Sequence, residues 1–133
     1  MAKTHTINIT YAGGGSTSVS SQLSITGQSE FNSDTVCAGS ATTTINPSLV
    51  MDPDARIQSY CFVVNGGNAT LAFTASGGGA TTIGLTDGVP AIAWYDSTTD
   101  LIAGVPTSAD TYTLSVRNAN SDTITFDGRM VLQ

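Results

Sequence analysis

Residues 57–75 read IQSYCFVVNGGNATLAFTA, two apolar runs on either side of an Asn-Gly-Gly-Asn tetrapeptide. The first run is apolar on both alternating faces, with Ile57, Cys61 and Val63 on one and Tyr60, Phe62 and Val64 on the other. A strand buries both faces only from inside a sheet, so Ile57 to Val64 is expected to be a central strand. Asn and Gly tolerate positive φ, and Asn65-Gly66-Gly67-Asn68 therefore predicts a hairpin turn into a partner strand from Ala69 to Ala75.

The same period of two recurs in both directions from this segment. Upstream, His5, Ile7, Ile9 and Tyr11 alternate with Thr4, Thr6, Asn8 and Thr10, and the triplet Gly13-Gly14-Gly15 ends that strand. Val19, Ser21, Leu23 and Ile25 make a second face, closed by Gly27. Weaker strands are expected over Glu30 to Cys37 and Thr42 to Ile45, and Ser48 to Met51 suits either a short strand or a single helical turn. Downstream, Gly77-Gly78-Gly79 leads into Thr81 to Leu85, and Asp87-Gly88 turns the chain into Val89 to Tyr95. Tyr112, Leu114 and Val116 mark the clearest strand, and Ile124, Phe126, Met130 and Leu132 share a face at the end of the sequence. About eight to ten short strands, with turns every eight to twelve residues, predict an all-β fold. The expected form is a single antiparallel β-sandwich, jelly-roll-like or Ig-like, over residues 1–133.

Charge narrows the range of functions. Charged residues are 11% of the chain and hydrophobic ones 40%, so the polar surface must be built from Thr, Ser, Asn and Gly. Short side chains lose little rotamer entropy on docking, which favours assembly. The net charge is −6, and the four cations Lys3, Arg56, Arg117 and Arg129 are scattered. No basic stripe for nucleic acid or for an anionic membrane surface can be made from them. The opening Met1-Ala2-Lys3-Thr4-His5-Thr6 has no apolar signal core, and no apolar run approaches a membrane span. Synthesis in a cytoplasm is expected.

No catalytic constellation is visible, and a non-enzyme is expected. His5 sits on a strand and reads as a half-buried strand residue. No serine lies in a Gly-x-Ser-x-Gly elbow, and neither Cys37 nor Cys61 lies in a motif that activates a thiolate. The two cysteines are either buried free thiols or a disulfide, and their spacing does not choose. The glycine triplets lack the Lys-Ser/Thr and the helix of a phosphate cradle and read as hairpin loops. Asp52-Pro53-Asp54 and the loop carrying Asp96 and Asp100 offer oxygen ligands without calcium-site spacing, so neither metal nor cofactor is expected. Trp94-Tyr95 provides a sugar-stacking candidate. Strict alternation sets Trp94 beside Ile92 on one face, with Ala91, Ala93 and Tyr95 on the other, and two large apolar side chains point to core.

The run IGLTDGVPAIAW (83–94), followed by YTLSVRN (112–118) and the closing Arg129-Met130-Val131-Leu132, resembles small β-sandwich virion proteins of tailed bacteriophages, capsid decoration (cement) proteins above all. Leu23 to Gly27 followed by Glu30-Phe31 is similar in rhythm. The resemblance implies a structural virion protein that stabilises a shell by contacts with the major capsid protein or other virion proteins. It also implies a homo-oligomer, with a trimer as the expected form, and brings no catalytic residues. The N-terminal strand is the expected interface, through β-augmentation by Lys3, Thr4, Thr6, Asn8 and Thr10. Two other roles fit the sequence: a carbohydrate-binding or host-adhesion module using Trp94 and Tyr95, and a minor tail or fibre component.

Overall fold

The computed structural model describes residues 2–12, 14, 18–51, 57–94, 101–102, 105 and 110–132. Among these described residues ten strands follow in order: β1 Lys3–Ala12, β2 Ser18–Gly27, β3 Ser29–Cys37, β4 Ala41–Met51, β5 Ile57–Asn65, β6 Ala69–Ala75, β7 Ala80–Leu85, β8 Ala91–Trp94, β9 Asp110–Asn118 and β10 Ile124–Leu132. β1 and β2 form a separate antiparallel pair. The other eight form two four-stranded sheets, ordered β3-β10-β5-β8 and β4-β9-β6-β7.

The pairing follows one rule. β6 pairs with β7, β5 with β8, β4 with β9 and β3 with β10. Strands β3 to β10 thus pair as one long hairpin, its tip at Gly77-Gly78-Gly79, wrapped so that successive pairs fall in alternate sheets. This is the jelly-roll form of the β-sandwich.

Inward-facing residues of the two sheets make the core. Phe62 and Phe126 come from one sheet and Phe73 from the other, all three fully buried, with Phe62 centred 6.0 Å from Phe126 and 6.5 Å from Phe73. Leu71, Leu114, Val116, Ile124 and Met130 pack around them. Each such side chain contributes about 1.5–3 kcal/mol by leaving water.

Several local expectations change. The tetrapeptide at 65–68 does not close a hairpin, because β5 and β6 lie in different sheets. It is an arch between the sheets, with Gly66 at φ 103, where a Cβ would be strained. Side chains fix its path: Asp87 Oδ1 accepts from the Gly66 amide at 2.9 Å, and Asn120 Nδ2 donates to the Asn68 carbonyl at 2.8 Å. Asp87-Gly88 likewise carries the chain from one sheet to the other. The two stretches expected around Pro47 are a single strand, β4, which absorbs the proline at two register shifts. Ile57 leaves the face of Cys61 and Val63 and joins the core. The β5–β10 register slips where Val131 faces Ser59 and Leu132 faces Ile57, which turns Ile57 inward.

β8 corrects the placing of Trp94. The alternation holds, but Ala91 and Ala93 pair with Phe62 and Tyr60 on the core side, and Ile92 and Trp94 face outward. The stacked rings of Tyr60 and Phe62, 4.9 Å apart, fill the inward space, so only small side chains fit beside them.

Candidate binding groove beside the N-terminal hairpin

The outer face of the β3-β10-β5-β8 sheet carries three parallel rows of side chains. The first is Glu30–Val131–Ser59–Trp94, the second Asn32–Arg129–Cys61–Ile92, and the third Asp34–Asp127–Val63. The β1–β2 hairpin lies across the four strands, over the first row. At one end His5 Nε2 is 3.0 Å from Glu30 Oε2 and Lys3 Nζ is 3.6 Å from Glu30 Oε1. In the middle, Val131 and Ser59 are 0% and 3% exposed although they point away from the core. At the far end Trp94 meets Ile9, Tyr11, Val19 and Leu23 around an apolar cleft of about 310 Å³.

Two features hold the hairpin down. Gly27 approaches the Leu132 carbonyl and the Val131 side chain so closely that a Cβ would collide with both. The next amide, Gln28, donates to the Leu132 carbonyl at 2.7 Å. The inward face of the hairpin is that expected from alternation, with His5 opposite Ile25 and Ile7 opposite Leu23. Beyond the sheet it overhangs, leaving Tyr11 77% and Val19 70% exposed.

Among the described residues β1 pairs with β2 alone, so its second edge is open. Along that edge runs a groove of about 460 Å³, walled by residues 4–8 and floored by the second row, Asn32, Arg129, Cys61 and Ile92. Thr4, Thr6 and Asn8 are brought together there. Lys3 is drawn to Glu30 instead, and Thr10 is exposed further along the strand.

Carboxylates set the electrostatics. Hydrogen bonding from His5, aided by Asn32 and the charge of Lys3, holds the Glu30 carboxyl below its usual range. Asp34 and Asp127 face each other in the β3–β10 ladder and share one cation, Arg129, whose Nη2 donates to Asp34 Oδ1 at 2.9 Å. Asp34 is lowered by its hydrogen bonds with Asp127 and Arg129, and Asp127 is raised by the bond with Asp34 and by burial. Arg129 is fixed further by donating from Nη1 to the Ser33 and Gly128 carbonyls at 2.9 and 2.8 Å.

Neither cysteine is primed for nucleophilic work. Burial raises both thiols, and they lie on opposite faces of one sheet, Cys37 inward and Cys61 in the groove floor. Both are free. His5 is the half-buried strand residue that alternation predicts. Among the described residues no group of three or more His, Cys, Asp or Glu is placed to hold a metal ion, and no helix is long and apolar enough to cross a membrane. Asp52, Asp54, Asp96, Asp100 and Tyr95 lie outside the described residues.

Sequence reasoning missed the groove floor, whose residues come from four strands. One signal for the hairpin was present: all ten acids lie from Glu30 onward, so the first 29 residues carry none.

The chain matches no model of a known protein family, and no curated protein sequence matches it. Among solved structures it is similar to a chain in the structure of infectious bursal disease virus, Gx strain, at 15% identity and a TM-score of 0.35. The similarity covers 98% of this chain and 32% of that one, so this chain spans about a third of its length.

Proposed function

We propose that this chain is a structural virion protein, specifically a capsid decoration protein that binds an assembled shell and ties its subunits together by protein–protein contacts. The observation that supports it best is the hairpin, which combines a ten-residue strand open along one edge with an apolar end that overhangs the sandwich. Strand edges and exposed apolar patches are common means by which one protein engages another. The jelly roll suits the role, being a common fold of capsid and lectin domains, although a fold alone does not fix a function.

The test is co-sedimentation with capsids of the virus that encodes the chain, followed by heating of the decorated shells. Decoration predicts saturable binding and a higher disruption temperature. Binding to tails in place of shells would move the protein to a tail or fibre role.

A carbohydrate-binding role draws support from one observation. Trp94 faces outward and lines an apolar surface cleft with Tyr11. A glycan array separates the two readings, because retention of a glycan by the wild type but not by Trp94→Ala would favour the lectin.

A further inference from the structure

We infer that the groove along β1 receives an extended, basic segment of a partner protein, added as a third strand to the hairpin and lying on the Asn32–Arg129–Cys61–Ile92 row. The inference rests on the decoration reading and specifies the partner's contact segment.

Edge protection singles out this strand. Free strand edges are normally blunted by charge, proline, bulges or shortness. In the sandwich, edge strand β3 carries Glu30 and Asp34, and β4 has Pro47 and two register shifts. Edge strand β8 follows Pro90, and β7 is six residues long and contains Gly84. β1 runs ten residues in unbroken register with β2, with no proline, no glycine, no acid and a lysine only at its start. β2 also has an open edge, but that edge lies toward the end of the sheet, where Gly27 meets Leu132. The β1 edge has a floor, the second row of the outer face. Residues 4–8 give a wall about 17 Å long, the length of about five extended residues.

Charge selects the occupant. A strand added to β1 would lie between β1 and the third row, where Asp34 and Asp127 share the single guanidinium of Arg129. That leaves one negative charge in excess at the rim, in a chain of net charge −6. A lysine or arginine on the incoming segment would pair with Asp127, and an acidic segment would be repelled. The ladder hydrogen bonds are sequence-independent, so affinity would come from the backbone and selectivity from this ion pair.

The probe is a capped heptapeptide alternating threonine and valine around a central lysine, compared with the same peptide carrying glutamate. Amide exchange by NMR on the full chain reads the site, and titration reads the affinity. The lysine peptide should slow exchange in residues 4–8 and bind about fivefold more tightly than the glutamate peptide, the worth of one exposed ion pair. Asp127→Asn should abolish that preference while residues 4–8 remain protected. Absence of binding, equal binding of both peptides, or protection confined to other strands would overturn the inference. Capsid co-sedimentation on the same preparation separates the two claims. A chain that decorates capsids but leaves β1 unprotected by peptide keeps the decoration reading and loses this one.

Discussion

Ser59 and Trp94 face each other across the β5–β8 ladder, on the side of the sheet turned away from the core. The hairpin seals Ser59 and begins to overhang at Trp94, so one row of side chains passes from buried to half-buried within one strand spacing. A second hydrophobic contact, outside the sandwich, therefore depends on where the hairpin lies.

Trp94→Ala should cost less than about 2 kcal/mol, below the ~3–5 kcal/mol of a core aromatic. Urea denaturation measures it, and a loss in the core range would place the indole inside. Trp94 is the chain's single tryptophan, so its emission reports on the hairpin. Gly27→Val, which forces the hairpin off Leu132, should shift that emission to the red while the far-ultraviolet β signal persists.

Phe62→Ala should cost about 3–5 kcal/mol. Phe62 is fully buried and touches the rings of Tyr60, Phe73 and Phe126, which bridge both sheets. Denaturant unfolding compared with Trp94→Ala gives the contrast directly.

Asn118 is buried at the end of β9. Its Nδ2 donates to the carbonyls of Cys37, Ala38 and Asp122 at 3.3, 3.1 and 2.8 Å, and its Oδ1 accepts from the Asn120 amide at 3.0 Å. Asn118→Ala should cost about 1–3 kcal/mol by stranding these partners. Asn118→Asp should cost more at neutral pH, because a carboxylate would face carbonyl oxygens with no proton to give. Thermal unfolding at two pH values distinguishes them.

The clasp at Glu30 gives the hairpin a pH dependence. Its carboxyl is held below the ordinary value of 4.5, so the folded state favours the charged form. That contribution is present above the unfolded value and is lost as pH falls through the lowered folded value. Protection of the amides in residues 3–12, corrected for the intrinsic slowing of exchange in acid, should fall before that of the sandwich, and Glu30→Gln should remove the step. In the same titration Asp127 should protonate above the ordinary aspartate range and Asp34 below it, with Asp34→Asn returning Asp127 downward.

The strands were legible wherever alternation was strong, as at Tyr112, Leu114 and Val116, because period two is a local property. What alternation cannot say is which face turns inward. On β8 the larger pair, Ile92 and Trp94, suggested core, whereas the filled space beside Phe62 and Tyr60 admits only Ala91 and Ala93. The Asn-Gly-Gly-Asn segment showed where the chain reverses, but whether it returns in the same sheet depends on distant partners, Asp87 and Asn120. The apolar face of β1 announced burial without naming its target, which proved to be Val131 and Ser59 on the back of a finished sheet. The groove floor brings together Asn32, Cys61, Ile92 and Arg129, and no local pattern encodes that register.

The most direct test of the account is hydrogen–deuterium exchange on the chain, free and bound to capsids. Binding through the hairpin predicts slowed exchange concentrated in residues 3–12, with the outer face of β4-β9-β6-β7 unchanged. Protection on that opposite sheet, with residues 3–12 exchanging as in the free chain, would contradict it.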